Sequence, residues 1–242
     1  MTAQELNTFH FQQTFEIMSF QVNGEGFLRW ASLGDLLQEV AWQHADSAAF
    51  GQELFAKGLM WVLSRFQIKV HHMPAWGDKV IVKTAGRGIY NLFALREFEI
   101  LGEKGQVLVT AMSAWLLLDI NSKRPQRPSQ VLPKDLFNPN SDDKLLPKKI
   151  ILPNEMEPGL RLMVLPSDLD MNKHVNNVSY LRWIEDQGNM KGIQFSELHI
   201  NYLAEAMLRD KMQLMTANSG DGLFFMAGYV GEKQAFSAQL LP

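Results

Sequence analysis

A weak internal repeat constrains the fold of this chain more than any other feature. Shifting the sequence by 132 positions places residues 66–85 on residues 198–217, and five of the twenty aligned positions are identical. The identical pairs are Ile68 with Ile200, Asp78 with Asp210, Lys79 with Lys211, Thr84 with Thr216, and Ala85 with Ala217. The alternative is a chance similarity between two pairs of strands. A true repeat predicts two similar units in one chain, which would mimic a symmetric dimer.

The prolines divide the chain between these two units. Seven of the ten prolines fall between Asn121 and Pro158. Proline lacks a backbone donor and disrupts the interiors of helices and strands, so this stretch is typical of a connector. We therefore predict an N-terminal unit over residues 1–125, a proline-rich linker over 126–157, and a C-terminal unit over 158–242.

Each unit shows one helical pattern followed by four strand-like segments. In the first unit a helix is predicted over residues 32–48, with Ser32 as its N-cap, and in the second unit Asn176 or Asn177 caps the helix. The predicted strands are residues 60–72, 78–86, 89–101 and 105–119, then 195–204, 210–217, 222–230 and 234–241. We expect an α+β fold in which each helix packs on an antiparallel meander.

The composition excludes several classes of protein. The chain has no cysteine, which excludes disulfides, thiolate metal sites and a cysteine nucleophile. A net charge of −3 argues against a nucleic-acid-binding surface. No apolar segment reaches the roughly 20 residues of a membrane span, and the N-terminus does not resemble a signal peptide. We therefore predict a cytoplasmic protein with no membrane span and no nucleic-acid partner.

The densest polar cluster is the segment Ser167–Asn177. Within it Asp170, Asn172 and His174 alternate, and in an extended chain such positions project to one face. They precede a predicted helix start, where the backbone N–H groups of Asn176, Asn177 and Val178 could stabilise an oxyanion. A base, an orienting group and an oxyanion site favour acyl-transfer chemistry. The alternative is an ordinary capped turn, since Asp and Asn favour turns. One His and one Asp are too few ligands to predict a metal site.

Four stretches of the sequence together resemble the acyl–acyl-carrier-protein thioesterases of plant plastids and their bacterial relatives. They are SDLDMNKHVNNVSYLRWI, WVLSRFQIKVHHMPAWGDKV, TAMSAWLLLDINSKRPQRP and ELHINYLAEAMLRDKM. The resemblance implies a tandem, or double, hotdog fold, in which each unit is a long helix wrapped by an antiparallel β-sheet. It also implies hydrolysis of fatty acyl-acyl carrier protein to free fatty acid, with no cofactor.

The resemblance implies a catalytic set of Asp170, Asn172, His174 and Glu205. Plant members often carry cysteine directly after this glutamate, and here that position is Ala206. Without a thiol, either water attacks the thioester or another residue forms the acyl-enzyme. Direct attack by water activated by Glu205 and His174 is favoured, and Asp170 is the alternative base. The sequence does not divide the roles among the four residues. The family also implies that the N-terminal unit holds the acyl chain, and the candidate residues are Leu36, Val40, Phe55, Met60 and Trp61.

The first unit does not carry the catalytic set. Aligning Ser32 with Ser179, a shift of 147 positions, places Asn23, Glu25 and Phe27 opposite Asp170, Asn172 and His174. The shift of 132 positions places Met73 opposite Glu205. We therefore expect one active site per chain, in the second unit.

The implied partner is an acyl carrier protein that carries a fatty acyl chain. Basic residues that could contact this acidic partner are Arg124, Arg127, Lys148 and Lys149. Two other functions stay open: an acyl-coenzyme A thioesterase of the same superfamily, and a catalytically silent acyl-binding module. Because tandem units already satisfy the pairing of a dimer, either a monomer or a homodimer is expected.

Overall fold

The computed structural model describes residues 9–47, 50–132, 143–220 and 222–242. The helices are α1 (Trp30–Ser47), α2 (Gln52–Ala56), α3 (Pro128–Val131) and α4 (Asn177–Met190). The strands of the first unit are β1 (Phe11–Glu16), β2 (Leu59–Val70), β3 (Lys79–Tyr90), β4 (Phe93–Leu101), β5 (Val107–Asp119) and β6 (Pro125–Gln126). The strands of the second unit are β7 (Glu157–Met163), β8 (Glu197–Tyr202), β9 (Lys211–Asn218), β10 (Phe224–Val230) and β11 (Lys233–Leu241).

All the strands of the described residues form one antiparallel sheet whose two halves mirror each other. The order is β1-β3-β4-β5-β2-β8-β11-β10-β9-β7, and β6 pairs with β5. Apart from β6, each unit therefore contributes five strands in the same internal order, and β2 joins β8 at the centre. In this central pair Gln67 lies opposite His199, and the shift of 132 positions aligns the same two residues. A pseudo-twofold axis thus passes between these two residues, and the predicted tandem hotdog fold is confirmed.

The predicted meander is wrong at the first predicted strand of each unit. In the second unit β8 pairs with β11 and not with β9. In the first unit the corresponding strand is β2. This strand is separated from β3 by β4 and β5, and it pairs with β5 on one side and with β8 on the other. An edge strand exposes unpaired backbone groups, and pairing the two β2-type edges removes both edges at once. The prediction also missed the first strand of each unit, β1 and β7. Strand β7 contains Pro158 and Gly159 at a break in its register, and these residues obscured its pattern.

The predicted start of the first helix is also wrong. Helix α1 begins at Trp30, two residues before the predicted cap Ser32. The helix starts earlier because a side chain from α4 caps it: the Trp30 N–H donates to Glu185 Oε2 at 3.2 Å. The prediction for the second helix is confirmed, since Asn176 is the N-cap of α4 and its Oδ1 accepts from the Val178 N–H at 3.4 Å.

Helices α1 and α4 pack against each other inside the curved sheet. The two helices approach closely at Gly34, because a Cβ atom there would lie only 2.6 Å from Leu181 Cδ1. Fully buried apolar side chains of both helices and both sheet halves surround this contact, among them Leu33, Leu37, Ile184, Ile68, Phe98, Ile200 and Phe236. Burying each such side chain contributes about 1.5–3 kcal/mol. The two units therefore share one hydrophobic core.

The connector between the units is partly structured. Pro125 and Gln126 pair with β5, and Pro128 begins α3. The section at 133–142 lies outside the described residues, and the boundaries at 125/126 and 157/158 stay predictions. Among the helices that are described, none is both long and apolar enough to cross a membrane.

Candidate active site

The segment that carries the predicted catalytic residues is a tight turn, not an extended chain. The Asp170 N–H donates to the His174 carbonyl at 2.8 Å, and Lys173 adopts a left-handed φ of 65°. Inside the turn, Asp170 Oδ1 accepts from the Asn172 N–H at 2.8 Å and from the His174 N–H at 3.1 Å. The expectation of an alternating face is therefore wrong. The Asp170 carboxylate holds the turn closed by binding the backbone of the other two residues.

The turn and the connection after β8 place the side chains of the four predicted catalytic residues in two contacting pairs. Asn172 Nδ2 lies 3.5 Å from Asp170 Oδ2, and His174 Nε2 lies 3.5 Å from Glu205 Oε2. A backbone bridge between His174 and Met207 fixes the second contact. The Glu205 side chain is 44% exposed and that of His174 is 22% exposed. Solvent and a substrate can therefore reach both groups of the pair.

Three backbone N–H groups were predicted as oxyanion donors, and in the structure two of them already have acceptors. The Asn176 N–H donates to the Asp168 carbonyl at 2.8 Å, and the Val178 N–H points to its own cap, Asn176 Oδ1. The Asn177 N–H has no acceptor among the contacts of the described residues. Since it lies at the positive end of the α4 dipole, Asn177 is the best placed of the three to receive a developing negative charge.

Two buried residues, Ala206 and Tyr180, lie next to Glu205. Ala206 is fully buried, and its carbonyl accepts from the Val175 N–H at 3.1 Å. A side chain at position 206 therefore packs into the interior instead of facing the exposed carboxylate of Glu205. Tyr180 is buried close by, and this burial raises the pKa of its hydroxyl above the ordinary value. The Tyr180 hydroxyl is therefore a neutral support and not a base.

The N-terminal unit contributes residues to this site that the sequence analysis missed. Lys123, in the turn between β5 and β6, places Nζ 4.0 Å from Glu205 Oε1. Gln38 of α1 accepts from Asn177 Nδ2 at 2.9 Å through Oε1. A signal for Gln38 was present, because the shift of 147 positions aligns it with Glu185, so both apolar helices carry a polar residue at one equivalent position.

The equivalent place in the first unit has the same backbone and different side chains. Asn23 Oδ1 accepts from the N–H groups of Glu25 and Phe27, both at 3.0 Å, as Asp170 does in the second unit. Phe27 forms a bridge with Ala75, just as His174 does with Met207. These contacts confirm the predicted alignment of the two turns. Phe27 and Met73 cannot transfer protons, so at these equivalent positions side chains able to do so are present only in the second unit.

The five predicted acyl-binding residues are dispersed. Leu36 and Val40 lie in the main core, while Trp61 packs on a smaller cluster and donates to the Phe50 carbonyl at 3.0 Å. Met60 Sδ lies 3.9 Å from Lys123 Nζ, and Phe55 is 58% exposed. Two surface cavities, of about 470 and 330 Å³, contain none of these five residues or the catalytic set. The acyl-binding assignment therefore stays a prediction.

Within the described parts of the chain, no three His, Asp or Glu side chains are grouped closely enough to hold a metal ion.

The sequence and the fold match one family of proteins. A family model described as the acyl-ACP thioesterase N-terminal domain matches residues 8–135, and one described as the C-terminal domain matches residues 154–237. The chain is 27% identical over 237 residues to the chloroplastic oleoyl-acyl carrier protein thioesterase 1 of Arabidopsis thaliana, covering 87% of this chain and 64% of that protein. It is 30% identical over 227 residues to the chloroplastic palmitoyl-acyl carrier protein thioesterase of Gossypium hirsutum, covering 86% of this chain and 55% of that protein.

Solved structures show the same fold over the whole chain. An acyl-ACP thioesterase from Bacteroides thetaiotaomicron superposes with a TM-score of 0.80 at 23% identity, covering 100% of this chain and 99% of the other. The 12:0-ACP thioesterase from Umbellularia californica superposes with a TM-score of 0.78 at 24% identity, covering 96% of each chain. The chain spans 55–64% of the length of the curated plant relatives named above. The two domain models match in order along the sequence, and the chain belongs to the acyl-ACP thioesterase family.

Proposed function

We propose that this protein hydrolyses the thioester of fatty acyl-acyl carrier protein and releases free fatty acid and the carrier protein. The observation that carries the proposal is the contact of His174 with the exposed Glu205. His174 lies three residues before the start of α4, where the Asn177 N–H has no acceptor among the described residues. Family membership supports the same reaction. An acyl-binding module would have no need for this pair.

In the proposed reaction, water attacks the thioester carbonyl carbon. Glu205, oriented by His174, accepts a proton from the water as its oxygen bonds to that carbon. The carbonyl oxygen becomes an oxyanion, which the Asn177 N–H and the α4 dipole stabilise. The carbon–sulfur bond then breaks, and the leaving sulfur takes up the proton that Glu205 had accepted.

Asn172 and Asp170 have separate parts in this scheme. The Asn172 carboxamide is exposed at the tip of the turn and can position the water or the thioester by hydrogen bonding. Asp170 Oδ1 is already engaged by two backbone N–H groups, so Asp170 orders the turn instead of acting as the base. Glu205 has the more exposed carboxylate and is therefore the better candidate base.

A basic rim favours an acidic macromolecular substrate. Lys123 and Lys233 both contact Glu205, the latter through a 3.3 Å hydrogen bond to its carbonyl, and Lys173 lies in the catalytic turn. The four basic residues predicted to contact the carrier, Arg124, Arg127, Lys148 and Lys149, are all exposed. Such a distribution steers an acidic carrier protein by charge complementarity.

The test is hydrolysis of matched thioesters. The protein is given saturated acyl chains of short, medium and long length, each attached either to acyl carrier protein or to coenzyme A, and released thiol is measured. We expect a higher kcat/KM for the carrier protein esters at every chain length that is cleaved. A uniform preference for coenzyme A would replace the proposed substrate, and binding without turnover of either ester would leave only an acyl-binding function.

A further inference from the structure

Helices α1 and α4 touch each other at equivalent positions. Under the shift of 147 positions, the counterpart of Gly34 is Leu181, the residue that Gly34 contacts. The counterpart of Trp30 is Asn177, and that of Gln38 is Glu185. The two helices are therefore antiparallel around the pseudo-twofold axis, and each one places a side chain at the first turn of the other.

Glu185 and Gln38 make different hydrogen bonds at these helix starts. Glu185 is buried, and its Oε2 accepts from the Trp30 N–H at 3.2 Å. An internal carboxylate thus occupies the backbone donor at the start of α1. This contact shows that a carboxylate from this helix position can reach the first N–H of the facing helix.

Gln38 contacts the start of α4 without occupying its first N–H group. Its Oε1 accepts from Asn177 Nδ2 at 2.9 Å, and its Nε2 donates to Asn176 Oδ1 at 3.4 Å. The Tyr202 hydroxyl donates to the Asn177 carbonyl at 3.2 Å from the other side. Asn177 is therefore held by both units while its own N–H stays open.

We infer that Gln38 is a positioning residue for thioester hydrolysis, contributed to the site of the second unit by the helix of the first. It orients Asn177 so that the N–H points to the thioester oxygen. Because its Oε1 is engaged by Asn177 Nδ2 and its other terminal atom is a donor, Gln38 leaves that N–H to the developing oxyanion. The inference rests on the proposed function and assigns a role to a residue outside the catalytic turn.

A carboxylate at position 38 is the sharpest test, because it reproduces the blocked arrangement of the first unit. Gln38→Glu has nearly the same shape as the native side chain, but it loses the bond to Asn176 Oδ1 and can accept the Asn177 N–H. Losing one oxyanion donor typically costs about 10²–10³ in kcat. We expect Gln38→Glu to lower kcat by about 10²-fold, with KM changed by less than about threefold, since the ground-state ester does not depend on this donor.

Two further variants complete the experiment. Gln38→Met keeps the length of the side chain and removes both hydrogen bonds, so it should lower kcat by roughly tenfold, less than the charged variant. Glu185→Gln makes the reverse exchange of carboxylate and amide at the equivalent position outside the site, and its kcat should stay within about twofold of the wild type. Thermal unfolding of each variant shows whether the fold is retained.

The outcomes separate the inference from the proposed function. If the wild type hydrolyses acyl-carrier-protein esters and Gln38→Glu keeps its kcat, or loses activity only through a higher KM, the positioning role is wrong and the proposed function stands. If Gln38→Glu does not fold, Gln38→Met decides: a lower kcat at unchanged KM supports the role, and an unchanged kcat overturns it. A wild type that cleaves neither the carrier nor the coenzyme A ester overturns both.

Discussion

The turn at Asn23–Leu28 in the first unit and the turn at Asp170–Val175 in the second share a backbone and differ in chemistry. In each turn the first side chain binds the N–H groups of the residues two and four positions later. In each turn the first N–H also donates to the carbonyl four residues later, at 2.8 Å. The repeat thus preserved the contacts that shape the turn, whereas the exposed side chains diverged.

This comparison separates residues that fold the turn from residues that we propose carry out the reaction. Asp170 has a counterpart, Asn23, that performs the same backbone capping without a charge. His174 and Glu205 have counterparts, Phe27 and Met73, that perform no acid–base chemistry at all. A further pair, Asp78 and Asp210, makes identical 2.8 Å bonds to the backbone three residues before and is purely structural in both units.

The largest expected effect is the loss of the acid–base and positioning groups of the second unit. Glu205→Ala and Asn172→Ala should each lower kcat by about 10²–10⁴-fold, the range for a lost general base or positioning group. The fold should persist, because both side chains are exposed. Steady-state hydrolysis of acyl-carrier-protein esters and circular dichroism provide the two measurements.

The first unit supplies the control for this loss. Met73→Leu changes the counterpart of Glu205 conservatively and should leave kcat within about twofold of the wild type. If Glu205→Ala and Asn172→Ala both retain nearly full activity, the assignment of chemistry to the second unit is wrong. A large effect of Met73→Leu on kcat would show instead that the first unit takes part in the reaction.

The next effect concerns Glu185, the carboxylate that faces the start of α1. Burial, reinforced by the nearby charge of Asp186, raises its pKa from the ordinary 4.5 to about 7. In the unfolded chain the carboxyl loses its proton near 4.5, while in the folded chain it keeps it until about pH 7. Stability from this group is therefore fully present at low pH and is lost as the pH rises through that window.

Glu185→Gln removes this dependence and keeps an oxygen to accept the Trp30 N–H. The variant should be more stable than the wild type by up to about 3 kcal/mol at pH 8, and about equally stable near pH 4.5. Urea denaturation at a series of pH values measures the difference. A stability difference that does not change between pH 4.5 and pH 8 would show that Glu185 is ionised in the folded protein as readily as in water.

Local patterns in the sequence predicted much of each unit. The Asn176 cap, the strands after each helix and the alignment of the two turns all depend on residues close together in the chain. Contacts between the units were not predictable in this way, since Gln38 and Asn177 are separated by 139 positions and Lys123 and Glu205 by 82. The pairing of β2 with β8 was not predictable either, because period-two patterning indicates a strand but not which strand lies beside it.

The turn illustrates why the site was only partly predictable. Alternating Asp, Asn and His suggested an extended face, but Asp170 folds back on its own backbone and Lys173 takes a left-handed conformation. Asp and Asn favour such local bonds over strand pairing. The residue types and the family resemblance therefore named candidate residues, while the geometry of the turn depended on side-chain-to-backbone bonds that the residue pattern does not specify.

A smaller effect tests whether the charge of Asp170 matters beyond shaping the turn. Asp170→Asn copies Asn23, which accepts the same two N–H bonds in the first unit, so the turn should stay folded. The variant loses the carboxylate oxygen 3.5 Å from Asn172 Nδ2, and we expect kcat to fall about tenfold, the lower part of the range for a charge-assisted contact. In Asp170→Ala we expect kcat to fall further and the unfolding temperature to be lower as well. A drop of 10³-fold or more in Asp170→Asn would instead make Asp170 the base.

The last prediction concerns adding chemistry to the first unit. In an inactive Glu205→Ala background, the double change Phe27→His and Met73→Glu restores the pair of titratable side chains on an equivalent backbone. We expect no measurable recovery of hydrolysis, because Glu185 occupies the Trp30 N–H that corresponds to the Asn177 donor, and because Glu25 stands where Asn172 stands in the second unit. Thiol release by the triple variant, compared with Glu205→Ala alone, measures the effect. Recovery of even a tenth of the wild-type rate would show that the acid–base pair suffices for this reaction and that the open N–H at Asn177 does not distinguish the two units.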